Sequence, residues 1–137
     1  MLEKEVFYMS ADIGLIGLAT MGKNLVLNML DHNVTVCVYN RTISKVDDLK
    51  KETNNKNLIA AHSMKEFFKN LKSPCVIMLM IKAGQPVDDF IKQILPFLSE
   101  NDVVIDGGNS HFLDTERRAN ELEKKKIHFK KYNSEKL

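Results

Sequence analysis

The sequence predicts an α/β protein in which a doubly wound, mainly parallel sheet carries helices on both faces. Three observations favour this fold. Short apolar runs alternate along the chain with stretches of helical periodicity, the apolar runs are continuous, and a glycine-bearing turn follows the first of them. Continuous apolar runs are typical of strands that are buried on both faces. A length of 137 residues suits one domain with one core.

Five apolar runs are predicted to be strands. They are residues 13–16, 34–39, 58–60, 75–80 and 103–105. Each run is bounded by residues typical of turns or by a stretch with helical spacing. Strands that alternate with helices in this way form a parallel sheet through right-handed crossovers.

Helical periodicity separates the predicted strands. It is present in residues 21–30, 64–71 and 87–98, and the last of these has the most regular apolar stripe. Ser63 and Glu66 have the spacing of a capping box, which predicts a helix start at residue 63. The segment 114–118 is interpreted as another helix start with an exposed arginine pair. A phosphate-binding role for Arg117 or Arg118 is the less favoured reading of that pair.

The first strand leads into the turn "GLATMG", residues 17–22. A dinucleotide-binding turn has the pattern G-x-G-x-x-G, and Gly17, Ala19 and Gly22 occupy its three glycine positions. Gly17 would allow the tight turn, and Gly22 would let the following helix pack closely on the strand. The amide groups and positive dipole of the helix N-terminus favour phosphate. The methyl group of Ala19 is compatible with such a site, although a turn of this composition can also exist without a ligand.

The end of the second strand, "YNRTISK", bears on the choice of coenzyme. Enzymes that use NAD carry a carboxylate there to bind the ribose hydroxyls, whereas this chain has Asn40. Arg41 can form a bidentate contact with a 2′-phosphate, Thr42 can add a hydroxyl group and Lys45 a charge. The alternative is a polar strand end with a solvated arginine. In combination with the glycine turn, these residues predict NADP as the cofactor of a Rossmann-type domain.

Two further loops are predicted at the same edge of the sheet. They are "IKAGQP", residues 81–86, and "DGGNSHF", residues 106–112. The carboxyl ends of parallel strands gather at one edge, so these loops should face the nicotinamide. Asp-Gly and Gly-Asn are turn formers, so "DGGNS" could also be a simple turn without a ligand.

Composition and charge exclude several other classes of protein. A net charge of +2 and a longest apolar run of seven residues predict neither a nucleic-acid partner nor a membrane span. Cys37 and Cys75 lie apart in apolar stretches and are interpreted as reduced core thiols of a cytoplasmic protein. The four histidines lack ligand spacing and are assigned to the surface or to loops, so no metal site is predicted.

Four segments together resemble one enzyme family. "ADIGLIGLATMGKNL", "YNRTISKVDD", "IKAGQPVDDFI" and "VVIDGGNSHFLDTERR" are similar to the N-terminal NADP-binding domain of 6-phosphogluconate dehydrogenase (decarboxylating). The first two motifs are shared with the wider β-hydroxyacid dehydrogenases, whereas the last two are closer to the phosphogluconate enzymes. The resemblance implies oxidative decarboxylation of 6-phosphogluconate to ribulose 5-phosphate with NADP, in the pentose phosphate pathway.

The resemblance also assigns residues to the site. Together with the interpretations above, it predicts fourteen coenzyme-binding residues. They are Gly17, Leu18, Ala19, Thr20, Met21, Gly22, Asn40, Arg41, Thr42, Lys45, Ile81, Lys82, Ala83 and Asn109. Asn109 is placed where nicotinamide and sugar meet, so it is also the predicted substrate-binding residue. No catalytic residue is assigned.

The chain departs from the family after Phe129. There the family continues into a strand and an "SGGEEGA"-type substrate loop, and its catalytic lysine and glutamate lie further on, whereas this chain ends in "KKYNSEKL". The expected organisation is an extension over residues 1–10, the NADP-binding domain over 11–129 and a divergent tail over 130–137. The expectation is a truncated chain that is inactive alone and self-associates through an uncovered sheet edge. The alternatives are a 3-hydroxyacid dehydrogenase relative and a non-catalytic NADP-binding module.

Overall fold

A six-stranded sheet with helices on both faces forms the computed structural model of the chain, which describes residues 10–132. The strands are β1 (Ile13–Ile16), β2 (Val36–Tyr39), β3 (Leu58–Ala60), β4 (Val76–Leu79), β5 (Val103–Asp106) and β6 (His128–Lys131). The helices are α1 (Thr20–Asp31), α2 (Ile43–Thr53), α3 (Met64–Lys69), α4 (Gln85–Ile94) and α5 (Phe112–Glu123).

All strand pairs of this sheet are parallel, and the strand order is β3-β2-β1-β4-β5-β6. The first strand, β1, therefore lies in the middle of the sheet; β2 and β3 extend the sheet on one side of it, and β4, β5 and β6 extend it on the other. The reversal lies between β1 and β4, and ligands of open α/β sheets bind beyond the strand ends at this point. The predicted fold class is confirmed.

Two apolar clusters, one on each face of the sheet, form the core. Val26 of α1 and Val46 of α2 belong to one cluster, while Phe67 of α3, Ile91 of α4 and Leu122 of α5 belong to the other. Neighbouring strand residues alternate between the two clusters because successive side chains of a strand point to opposite faces. This explains why the strands read as continuous apolar runs.

Helix α4 is shorter than its apolar stripe predicts. It ends at Ile94 and passes into a single 3-10 turn, Leu95–Phe97, so the predicted extension to residue 98 is wrong. Pro96 explains the difference. It has no backbone N–H to donate to the carbonyl of Lys92, and its ring would clash with that carbonyl in a continuous α-helix.

The start of α3 confirms the predicted capping of that helix. The Ser63 hydroxyl accepts a hydrogen bond from the Glu66 backbone N–H at 3.1 Å. The Glu66 carboxylate accepts in turn from the backbone N–H of His62 at 3.2 Å, one residue before the position that a capping box would use. The side chain of His62 lies on the surface and contacts Asp47.

Strand β6 was not among the five predicted strands. Phe129 is its only buried residue, and His128, Lys130 and Lys131 are exposed. An edge strand with one buried residue has no apolar run, which is why the pattern missed it. The strand crosses the proposed domain boundary at residue 129. Lysines at a sheet edge oppose pairing with another chain. Self-association through this edge stays a prediction.

Both cysteines are buried and reduced, in agreement with their interpretation as core thiols. Burial raises the pKa of the Cys37 thiol and of the Cys75 thiol to about 12, so neither is a reactive thiolate at neutral pH. Between residues 10 and 132, no helix has the length and apolar character of a membrane span. In the same range, no group of three or more histidine, cysteine or carboxylate side chains is arranged to bind a metal ion.

Candidate functional site

A cleft of about 890 Å³ opens at the carboxyl edge of the sheet, where the loops after β1, β4 and β5 meet. Its lining consists of Ala19, Thr20, Met21, Gly22, Met80, Ile81, Lys82, Ala83, Gly107, Gly108, Asn109, Lys131 and Tyr132. Eight of the fourteen predicted coenzyme-binding residues are among them. The structure thus brings three loops that are distant in sequence to one site at the switch point of the sheet.

The glycine turn has the geometry that its sequence predicts. Gly17 has a φ of 109°, which L side chains rarely adopt, and its backbone N–H donates to the Tyr39 carbonyl at 3.0 Å. A Cβ atom on Gly22 would lie 1.9 Å from the Gly17 carbonyl oxygen, so only glycine lets α1 pack this closely. Ala19 is the exposed N-cap residue of α1, and its methyl group is accommodated at the cleft.

Asn40 joins the glycine turn to the end of β2. Its side-chain oxygen accepts a hydrogen bond from the Leu18 backbone N–H at 2.7 Å, and its side-chain nitrogen donates to the Thr42 carbonyl at 3.0 Å. The Leu18 side chain packs in the core. Both residues therefore shape the site, and their direct contact with a coenzyme stays a prediction.

The remaining predicted residues of the β2 end lie outside the main cleft. Arg41 borders a cavity of about 430 Å³ together with Tyr39, Pro86 and Phe90, between β2 and α4. Lys45 borders a different cavity, of about 210 Å³, on the side of Leu18 and Lys23. Thr42 is the exposed N-cap residue of α2. Arg41 and Lys45 thus do not share one pocket.

The cleft also contains residues that the sequence did not indicate. Met80 lies between the predicted loops, and its sulfur atom would be 2.2 Å from a Cβ atom on Gly107. Lys131, the last residue of β6, and Tyr132, which follows it, line the same cleft as Asn109. The sequence-based prediction did not include these last two, because they lie after Phe129, where the resemblance described above ends.

Arg118 corrects the prediction of an exposed arginine pair. Its side chain is only 1% exposed, whereas that of its neighbour Arg117 is 44% exposed. Successive residues of a helix point in different directions, so Arg118 faces the sheet and Arg117 faces solvent. Asp88 of α4 accepts hydrogen bonds from both arginines, at 2.9 Å and 3.1 Å from Arg118.

The two arginines hold the pKa of the Asp88 carboxyl at about 2, mainly through the hydrogen bonds of Arg118. Because the folded-state pKa lies below that of the unfolded chain, the interaction stabilises the protein above pH 4 and this contribution is lost as the pH falls from 4 towards 2.

We therefore expect Asp88→Asn to lower the free energy of unfolding by about 2 kcal/mol near neutral pH, with the difference from wild type shrinking below pH 4. Urea unfolding of both proteins over this range measures the effect. Asp89→Asn, which removes the adjacent exposed carboxylate, is the matched control. If the difference in the free energy of unfolding between variant and wild type is unchanged at pH 3, the lowered pKa of Asp88 is contradicted.

The strand order, the glycine turn before α1 and the cleft at the switch point together define a Rossmann-type α/β domain. Residues 12–131 match the family described as the NAD binding domain of 6-phosphogluconate dehydrogenase, and the chain belongs to this family.

Individual relatives agree with this assignment. The chain is 60% identical over 119 residues to the decarboxylating 6-phosphogluconate dehydrogenase of Candida albicans, covering 86% of this chain and 23% of the relative. It is 57% identical over 122 residues to the corresponding Saccharomyces cerevisiae protein, covering 88% and 25%. The solved Plasmodium falciparum 6-phosphogluconate dehydrogenase superposes with a TM-score of 0.80 at 37% identity, covering 86% of this chain and 26% of that one.

A more distant solved structure shows the same fold alone. The 3-hydroxyisobutyrate dehydrogenase of Mycobacterium tuberculosis superposes with a TM-score of 0.72 at 16% identity. The chain spans about a quarter of the length of the curated relatives that it matches.

Proposed function

We propose that this chain binds NADP and is the coenzyme-binding part of a decarboxylating 6-phosphogluconate dehydrogenase. The observation that carries the proposal is the main cleft, in which the glycine turn, residues 81–83 and Asn109 face one another at the switch point of a parallel sheet. Support comes from the solved Plasmodium falciparum relative, which is described in complex with NADP⁺ and with 6-phosphogluconate.

The coenzyme would cross the carboxyl edge of the sheet. Its pyrophosphate would lie at the N-terminus of α1, where no side chain in the described part of the chain caps the backbone amides. The adenosine end would lie in the cavity that Arg41 shares with Pro86 and Phe90, which offers a charge for the 2′-phosphate and apolar surface for the base. The nicotinamide would lie in the main cleft, near Asn109.

The wider assignments are part of the same proposal. The substrate would be 6-phosphogluconate, with Asn109 contacting the sugar, and the reaction would be its oxidation and decarboxylation to ribulose 5-phosphate in the pentose phosphate pathway of the cytoplasm. Residues 1–10 would be an extension, residues 11–129 the coenzyme domain and residues 130–137 a divergent tail. Of these ranges, residues 1–9 and 133–137 lie outside the part of the chain that the structure describes.

Of the alternatives, a 3-hydroxyacid dehydrogenase is favoured by the fold similarity and by the two shared motifs but not by "DGGNS", and a non-catalytic NADP-binding module shares the coenzyme site proposed above. Isothermal titration of the chain with NADP and with NAD tests that coenzyme site. We expect saturable binding of NADP and weaker binding of NAD, because Asn40 and Arg41 replace the carboxylate that binds the ribose of NAD. Absence of NADP binding, or tighter binding of NAD, would contradict the proposal.

A further inference from the structure

The buried guanidinium of Arg118 connects two loops that border the main cleft. Its Nη2 donates to the carbonyl oxygen of Gly84 at 3.1 Å, at the end of the loop after β4. Its Nη1 lies 3.4 Å from the hydroxyl oxygen of Ser110, at the end of the loop after β5. Asp88, which pairs with the same guanidinium, fixes its orientation. One side chain of α5 thus reaches both loops.

Ser110 is the point at which the loop after β5 is held. Its hydroxyl group donates to the carboxylate of Asp106, which is fully buried and also accepts from the Gly108 backbone N–H at 2.9 Å. The Ser110 carbonyl accepts a hydrogen bond from the Lys131 ammonium group at 2.7 Å. The hydroxyl group and the carbonyl group of this residue therefore both hold the loop that carries Asn109.

The two loops also lie directly against each other. The Gly107 backbone N–H donates to the Leu79 carbonyl at 2.8 Å, and a Cβ atom on Gly108 would lie 2.8 Å from the Ile81 carbonyl oxygen. Asn109 is exposed at the outer end of this packed pair. A displacement of either loop would therefore change the shape of the cleft that Ile81 and Asn109 line.

We propose that Arg118 and Ser110 are positioning residues, which hold the loops after β4 and β5 in the arrangement that receives the nicotinamide half of the coenzyme. This inference rests on the proposed function. Neither side chain is among those that line the main cleft, so each acts through the loops that it holds. A wall that is fixed before binding costs less conformational entropy when the ligand is bound.

The proposal distinguishes the two halves of the coenzyme. Within residues 10–132, Arg118 and Ser110 form no hydrogen bond to the glycine turn or to the residues that line the cavity beside Arg41, which would receive the adenosine half. Loss of the Ser110 hydroxyl removes a hydrogen bond to a buried carboxylate and one from a buried guanidinium, and so loosens only the loop after β5. The affinity for NADPH should fall, whereas that for adenosine 2′,5′-bisphosphate should not.

The experiment compares Ser110→Ala with wild type by isothermal titration of both ligands. We expect Ser110→Ala to weaken NADPH binding about tenfold, as for the loss of a hydrogen bond to a charged group. Binding of adenosine 2′,5′-bisphosphate should change by less than about twofold, as for a site with no altered contact. The matched control is Ser99→Ala, which removes the hydroxyl of an exposed serine that precedes β5, at the opposite edge of the sheet.

A second pair of variants separates the effect of the planar guanidinium group of Arg118 from the effect of its positive charge. Arg118→Lys retains the charge but not the planar fork that reaches Gly84 and Ser110, and we expect it to weaken NADPH binding selectively. Arg117→Lys, at the exposed neighbour that shares Asp88, should leave both affinities unchanged. If Ser110→Ala weakens both ligands equally, or neither, the positioning role is overturned. If wild type binds neither ligand, the proposed function fails as well.

Discussion

We expect a protein of these 137 residues to form no NADPH when it is incubated with 6-phosphogluconate and NADP. Hydride transfer requires the sugar to be held against the nicotinamide while a base removes a hydroxyl proton. In the described part of the main cleft, the titratable amines are those of Lys82 and Lys131, and both side chains are exposed. A lysine acts as a base when it is desolvated.

The expected deficit is large, because positioning and acid–base catalysis each contribute orders of magnitude to a rate, about 10² or more apiece. NADPH absorbance measures the rate, and the Saccharomyces cerevisiae relative in full length serves as the positive control. Turnover that survives removal of contaminating host enzyme and is abolished by Asn109→Ala would contradict this prediction.

The second large effect is expected for Arg41→Ala. Arg41 is exposed at the end of β2, beside the cavity that it shares with Tyr39, Pro86 and Phe90. A guanidinium that contacts a 2′-phosphate forms a charge-assisted hydrogen bond, so its removal should cost about 1.5–3 kcal/mol of binding free energy for NADP. NAD has no phosphate at this position, and its affinity should change little.

Isothermal titration of the variant with NADP and NAD measures both effects. Lys56→Ala is the matched control, since it removes an exposed positive charge from the segment before β3, at the opposite edge of the parallel sheet. An equal loss of affinity for both coenzymes would show that Arg41 does not bind the 2′-phosphate. Because the exposed charge is partly screened by salt, the titrations should be made at one ionic strength.

Local patterns were sufficient for most of the architecture. Strands β1 and β3 have the predicted bounds. β1 lies inside the sheet and is covered on both faces, which requires an apolar run, and the edge strand β3 is also apolar although only Leu58 is fully buried. The glycine turn was also a local prediction. The φ of Gly17 and the close approach of Gly22 to its carbonyl are steric requirements of a strand that turns directly into a helix.

The apolar pattern was wrong at two elements, once because of a local residue and once because of a distant strand. The apolar stripe of α4 continues beyond Ile94, yet Pro96 ends the helix through its missing N–H group. Strand β6 forms because the backbone of residues 128–131 completes the edge of β5, although only Phe129 contributes to the core. An edge strand can depend on its partner's backbone as much as on its own side chains, so a strand such as β6 has a weak sequence pattern.

The sequence by itself determined that this chain has a glycine turn, an arginine after the second strand and two small loops at one edge of a parallel sheet. Only the tertiary structure decided how these parts are arranged: Arg41 and Lys45 border different cavities, Asn40 is bonded to Leu18, and Arg118 is buried. The physical reason is that a dihedral preference acts within a few residues, whereas burial and hydrogen-bond partners depend on which distant segments the sheet brings together.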